Sequence, residues 1–135
     1  LHINIKQQIN INSNFNARLY GDKDRIGQVL INIINNGIKY SPGSNIIDIT
    51  VYEAPDGQVA VSVRDYGIGI DKKEQQKIFE RFYRASGEEE KTYPGFGIGL
   101  FIASEIIERH DGYIKVESEP GKGSLFTFFL PISTQ

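Results

Sequence analysis

The segment NIIDITVYEAPDGQVAVSVRDYGIGI, residues 45–70, decides the architecture. Residues 45–54 and 58–65 each alternate polar and apolar side chains, the period of a half-buried strand. Between them Pro55, Asp56 and Gly57 supply the residues of a tight turn. The pair reads as a hairpin, and parity within its second strand adds a chemical message. Val59, Val61 and Val63 share a face with Asp65, while Ala60, Ser62 and Arg64 share the other. A carboxylate therefore points to the side that the valines bury. Left unpaired it would be costly, so either protein or ligand must bring it a donor. The plainer alternative is that Asp65 only opens an Asp-x-Gly turn. Gly67 and Gly69 follow at once and allow a sharp bend and the close approach of a flat ligand.

Upstream, Asp22 or Asp24 caps a helix that runs through Lys39 or Tyr40, where SPGS at 41–44 stops it. Ile26, Val29, Leu30, Ile33, Ile34 and Ile38 form one wide apolar face. Gln28, Asn32 and Asn36 recur at helical spacing on a second face, with Asn35, Lys39 and Tyr40 beside them. Such a stripe is ordinarily a solvated surface. Asparagine, however, propagates a helix less well than Glu, Lys, Gln or Arg, and Gly37 costs about 1 kcal/mol more than alanine. A short neutral amide oxygen is also a suitable ligand for Mg²⁺. Earlier still, residues 2–9 alternate like a strand, and NARLYGD at 16–22 can pair with them.

Downstream, DKKEQQKIFERFYR (71–84) reads as a short polar helix, and SGEEEKTYPGFG (86–97) as a mobile loop without periodicity. GLFIASEIIERH (99–110) is an amphipathic helix with Gly95, Gly97 and Gly99 at its entrance. Glycine-rich backbone at a helix N-terminus offers N–H groups to phosphate, although such loops are often mere connections. The stretch is neither a Walker loop, lacking Gly-Lys-Ser/Thr, nor a Rossmann fingerprint, its spacing being G-x-G-x-G. YIKVESEPGKGSLFTFFLP (113–131) closes as a second hairpin. The expected fold is α+β: an α/β sandwich with helices on one side of a mixed, mostly antiparallel sheet.

The chain has 135 residues, 39% hydrophobic and 24% charged, the size of one domain, here taken as 1–135. A net charge of −2 argues against nucleic-acid or polybasic membrane partners. Without cysteine there is no disulfide or thiolate chemistry, and the chain suits a reducing compartment. No apolar run approaches the roughly 20 residues of a membrane span. Leu1 opens abruptly, so we expect a domain excised from a longer parent. His2, on a strand, and His110, at a helix end before Gly112, both read as structural.

Five motifs in order resemble those of the ATP-binding catalytic domain of sensor histidine kinases, within the gyrase, heat-shock chaperone, histidine kinase and mismatch-repair ATPase superfamily. DRIGQVLINIINNGIKYSP is similar to the Asn box and DYGIGI to the first glycine box. IFERFYRA is similar to the Phe box, PGFGIGLFIA to the second glycine box, and GKGSLFTFFLP to the terminal glycine box and strand. The resemblance implies a Bergerat-type fold with ATP between the Asn-box helix and the glycine loops. It implies that Asn36 ligates Mg²⁺, that Asn32 lies near the phosphates, and that Lys39 contacts phosphate while Tyr40 packs on the nucleotide. Asp65 matches the acid that accepts from the adenine amino group, which supplies the donor its burial demands. Gly67, Gly69 and Ile70 then line the adenine pocket, and Phe82 and Arg84 belong to the Phe box, the arginine reaching the γ-phosphate. Gly95, Gly97, Ile98, Gly99 and Leu100 form the phosphate-covering loop and its helix start. Ser124 is similar to a hydroxyl that helps hold a water near the acid.

Two positions depart from the family pattern: Tyr66 stands where Asn is frequent, and Phe96 where Thr or Leu is frequent. The gyrase and chaperone branches carry a glutamate base one turn before the metal Asn; Asn32 stands there and cannot accept a proton from water. The resemblance thus implies a kinase that passes the γ-phosphoryl to a histidine on a separate dimerisation domain. A response regulator would act downstream, and the isolated piece would be monomeric and unable to phosphorylate itself. The implied setting is cytoplasmic, within a parent that can be membrane-anchored. An anti-sigma-factor type serine kinase and a degenerate nucleotide-binding regulator remain as alternatives; IFERFYRA favours the histidine kinase over the first, and the complete set of boxes speaks against the second.

Overall fold

In a computed structural model, residues 8–13, 21–41, 43–44, 46–80 and 98–132 are described. The elements are β1 (Gln8–Ser13), α1 (Lys23–Lys39), β2 (Ile46–Ala54), β3 (Gln58–Asp65), α2 (Gly99–Arg109), β4 (Tyr113–Ser118) and β5 (Ser124–Pro131). The strands form one sheet in the order β1-β2-β3-β5-β4. β1 runs parallel to β2 and the remaining neighbours are antiparallel.

Local chemistry explains where these elements begin and end. Asp22 is the N-cap of α1, its Oδ1 accepting from the N–H groups of Asp24 at 3.0 Å and Arg25 at 3.2 Å. Asp24 in the first turn and Lys39 in the last complement the helix dipole. The β2–β3 hairpin closes at Ala54 opposite Gln58, with Asp56 and Gly57 in left-handed backbone at φ 66° and 70°.

The core lies between the helices and one face of the sheet. Val29, Ile33 and Ile34 of α1 and Leu100, Ala103, Ile106 and Ile107 of α2 meet Ile47, Ile49, Val59, Val63, Phe126 and Phe128. The other face carries a smaller cluster of Ala54, Ala60 and Phe129 flanked by Tyr52. Tyr113 stacks on Phe129 there at 4.4 Å between centroids. Helices on one side of a mixed, mostly antiparallel sheet is the architecture read from the alternation.

One expectation needs correction. Residues 71–80 are not a helix: 72–79 form successive turns, with Glu74, Lys77 and Glu80 each donating its N–H three residues back at 2.9 Å. Only Ile78 and Phe79 pack against the core, so no apolar stripe holds a helix down. The Gln75 amide instead ties the segment's start to the carbonyls of Ile70 and Ser118, both at 2.8 Å. Of the strand expected at 2–9, Gln8 and Ile9 are described and lie in β1, which continues to Ser13 and pairs with β2, with α1 as the crossover that a parallel pair requires. Residues 2–7 and 16–20 lie outside the described residues, while Gly21 and Asp22 lead into α1.

His110 has the structural duty expected of it. α2 ends in a Schellman arrangement: Asp111 N–H donates to Glu108 O at 3.1 Å and Gly112 N–H to Ile107 O at 3.0 Å. His110 Nε2 accepts from the Asp22 N–H at 3.0 Å. Its Nδ1–H therefore donates to Ile106 O at 2.8 Å, which links the end of α2 to the cap of α1. His110→Ala should lower the unfolding free energy by about 2 kcal/mol in urea titrations through these two lost bonds. ATP affinity should stay within twofold, because the ring lies at the opposite helix end from Gly99.

Candidate functional site

β3 ends at Asp65, which is 3% exposed. Its Oδ1 accepts from Ser41 Oγ at 3.4 Å, from the Gly67 N–H at 3.1 Å and from the Ser124 N–H at 3.2 Å. Its Oδ2 has no hydrogen-bond partner among the described residues. Burial pushes the carboxyl above the usual carboxylate range, while the bonds from Gly67, Ser124 and Ser41 and the charge of Arg64 pull it back. The parity argument is thus correct, and one oxygen of a buried acid is left unsatisfied.

The helix glycine has its reason in the same acid. A Cβ at Gly37 would lie 3.0 Å from Ile47 Cδ1, 3.2 Å from Asp65 Cβ and 3.6 Å from Asp65 Oδ2. A bare Cα at this point of α1 lets the acid-bearing strand come close, which offsets the propensity cost noted above.

Two turns interlock around Asp65. Ile68 N–H donates to Tyr40 O at 3.0 Å, and Gly121 N–H donates to Ile68 O at 2.7 Å. A side chain at Gly67 would overlap the Tyr40 carbonyl and come within 2.5 Å of Ser41 Oγ. At Gly69 it would overlap the Glu119 carbonyl, and at Gly123 that of Asp65. Gly67 and Gly69 thus allow close approach of the protein's own backbone. Ser118 fastens the assembly: its Oγ accepts from the Ile70 N–H at 2.8 Å and bonds Gly123 O at 2.7 Å and Ser124 Oγ at 2.8 Å. The Ser124 hydroxyl thus faces Ser118, and it is the Ser124 main chain that reaches the acid. Ile70 also packs against the core.

The amide stripe divides by partner. Gln28 accepts from Arg25 Nη1 at 3.3 Å, and Asn35 is exposed. Asn32 Nδ2 donates to Gly99 O at 3.1 Å, tying the stripe to the start of α2. Asn36, half-buried, makes no side-chain hydrogen bond among the described residues. Lys39 Nζ lies 5.6 Å from the Tyr40 ring centroid. α2 begins at Gly99 with Ile98 as N-cap, no side-chain cap and no acid in its first turn, the reverse of α1. Leu100 is in the core. Phe82, Arg84, Gly95, Gly97 and the loop 86–96 lie outside the described residues.

Sequence reasoning passed over Ser41, Gly37 and Ser118 as parts of this site. Ser41 stood inside a stop signal. Ser118 could have been found, because it shares the inward parity of Ile114 and Val116 at the end of β4.

Residues 21–134 match the family described as histidine kinase-, DNA gyrase B- and HSP90-like ATPase. The chain is 42% identical over 114 residues to the adaptive-response sensory kinase SasA of Thermosynechococcus vestitus, covering 84% of this chain and 30% of that protein. It spans less than a third of the length of the curated kinases it matches first. The solved catalytic domain of histidine kinase ThkA, nucleotide free, superposes with a TM-score of 0.77 at 30% identity, covering 93% of this chain and 80% of that one. Full-length ShkA in complex with AMPPNP superposes with a TM-score of 0.81 at 27% identity, covering 95% of this chain and 26% of that one.

Proposed function

The chain belongs to the histidine kinase-, DNA gyrase B- and HSP90-like ATPase family, and from that premise we propose that it binds ATP with Mg²⁺ and donates the γ-phosphoryl to a histidine of a separate dimerisation domain. The observation that carries this reading is the unsatisfied Oδ2 of buried Asp65. An adenine amino group supplies the missing donor, and the three bonds to Oδ1 leave only Oδ2 for that purpose. The AMPPNP complex of ShkA supports an ATP ligand for this fold.

The polar helix face gives the triphosphate its place. Asn36, with its amide uncommitted among the described residues, offers the carbonyl oxygen for Mg²⁺. No group of three His, Cys, Asp or Glu residues suited to a metal occurs among the described residues. One neutral amide completed by phosphate oxygens and water is therefore the donor set that fits. Mg²⁺ held by Asn36 would supply charge neutralisation to the phosphates. Lys39 adds a cation at the same helix end, and the uncapped start of α2 presents N–H groups to the phosphates. Asn32 holds the α2 entrance through Gly99, and as an amide it abstracts no proton from water, so transfer is favoured over hydrolysis. The family resemblance assigns Arg84 a γ-phosphate contact and Phe82 to nucleotide binding; both lie outside the described residues.

No described helix is long and apolar enough to cross a membrane. We place the domain at the cytoplasmic side of a longer sensor kinase, upstream of a response regulator. The test is to mix the domain with its parent's dimerisation domain and γ-labelled ATP. Acid-labile, base-stable phosphate should appear on the partner. Acid-stable phosphate would instead mark a serine kinase, and no transfer despite ATP binding would overturn the kinase reading.

A further inference from the structure

Behind Asp65, on the face of the sheet away from α1 and α2, lies a cluster that nucleotide binding leaves unexplained. Arg64 and Tyr66 flank the acid in sequence, so strand parity carries them away from it. Tyr66 donates its hydroxyl hydrogen to Oδ2 of Asp48 on β2. The Arg64 guanidinium lies over the Tyr66 ring, 5.3 Å from its centroid. Arg64 Nη2 also donates to the Lys122 carbonyl at 3.4 Å, in the turn that interlocks with Gly69. Asp48 sits opposite Arg64 in the β2–β3 register.

The cluster therefore joins β2, the turn after Asp65 and the β4–β5 turn. Tyr66 is 45% exposed, so apolar burial does not fix its ring. Its contacts with a carboxylate and a guanidinium do. Asp65 is the residue between the two members of this pair, and its Oδ1 bonds to Gly67 and Ser124 lie in the two turns that the pair holds together.

We propose that Tyr66 is a positioning residue for purine recognition: anchored by Asp48 and Arg64, it holds the turn so that Asp65 Oδ2 stands at bonding distance from the base. The inference rests on the adenine assignment made above. It predicts that loss of the anchor blurs the distinction between an amino and a carbonyl group on the purine. Binding of the shared triphosphate is left alone.

ATP and ITP, titrated by calorimetry against the wild-type domain, Tyr66→Phe and Asp48→Ala, separate the possibilities. ITP replaces the exocyclic amino donor with a carbonyl. Wild type should prefer ATP, and Tyr66→Phe, which keeps the ring under Arg64, should reduce that preference by about fivefold. ITP affinity should stay within about twofold, since it makes no bond that the anchor tunes. Asp48→Ala should lower the ATP/ITP ratio as well, and the double variant should lower it no further, because both variants remove the bond between Tyr66 and Asp48. A merely structural role would lower both affinities together and keep their ratio. An unchanged ATP/ITP ratio in Tyr66→Phe therefore overturns the inference while the adenine assignment stands. Absence of ATP preference in wild type overturns both.

Discussion

Asp65→Asn should abolish ATP binding while leaving the nucleotide-free domain at least as stable as before at neutral pH. The amide can keep Oδ1 where Ser41, Gly67 and Ser124 reach it. Its NH₂ then occupies the Oδ2 position and faces a purine amino group, donor against donor. Losing a bond to a charged acceptor and gaining that repulsion should weaken ATP by about 100-fold or more. The stability side follows from linkage. Burial raises the Asp65 pKa in the folded chain, so whatever stability the group contributes is fully present below its unfolded pKa and is lost as pH rises through the folded value. At neutral pH the ionised acid opposes folding, and a neutral amide removes that opposition. Calorimetric titration with ATP and Mg²⁺, alongside denaturant unfolding of the free domain, reads both halves. Wild-type affinity in the variant would end the adenine assignment. A collapse in stability would mean that Oδ2 has a protein donor after all.

This opposition between binding and stability also explains what could be read from the chain directly. Val59, Val63 and Asp65 declare their shared face through period-two alternation, a local signal that survives folding because the sheet buries that face. The Asn-box helix was equally plain, since its cap, apolar face and stop lie within one stretch of sequence. The partner of β1 was not legible. Alternation identifies a strand but carries no information about its neighbour, and the parallel pairing depends on α1 crossing back over the sheet. Residues 71–80 misled for a related reason: good helix formers surround only two apolar residues, and tertiary ties from Gln75 decide their conformation. At the site, types of residue were readable and partners were not. Asn32 was readable as an amide on the polar stripe, but its bond to Gly99 was not. Ser41 carries no pattern that singles it out until distant segments converge on Asp65, whereas Ser118 is marked only by the inward parity it shares with Ile114 and Val116.

The glycines of the two interlocking turns make the sharpest test of that last point. They look alike in sequence, yet the structure gives them different obligations. Gly67→Ala should cost about 3 kcal/mol or more in urea unfolding and reduce ATP binding below detection. Its added methyl meets the Tyr40 carbonyl and Ser41 Oγ, and neither can retreat cheaply. The carbonyl accepts from Ile68 N–H, and the hydroxyl donates to Asp65. Displacing them moves the end of α1, where Lys39 and Tyr40 sit, away from Asp65 in one step. Gly121→Ala is the control, because Gly121 has φ +81° but open space around the missing side chain. That variant bears only the left-handed strain, about 1 kcal/mol, and should bind ATP normally. If Gly67→Ala proves as mild as Gly121→Ala, the helix end and the turn are not locked as described. The greater penalty at Gly67 would instead locate the necessity for glycine in the packing of backbone on backbone, with the pocket as its consequence.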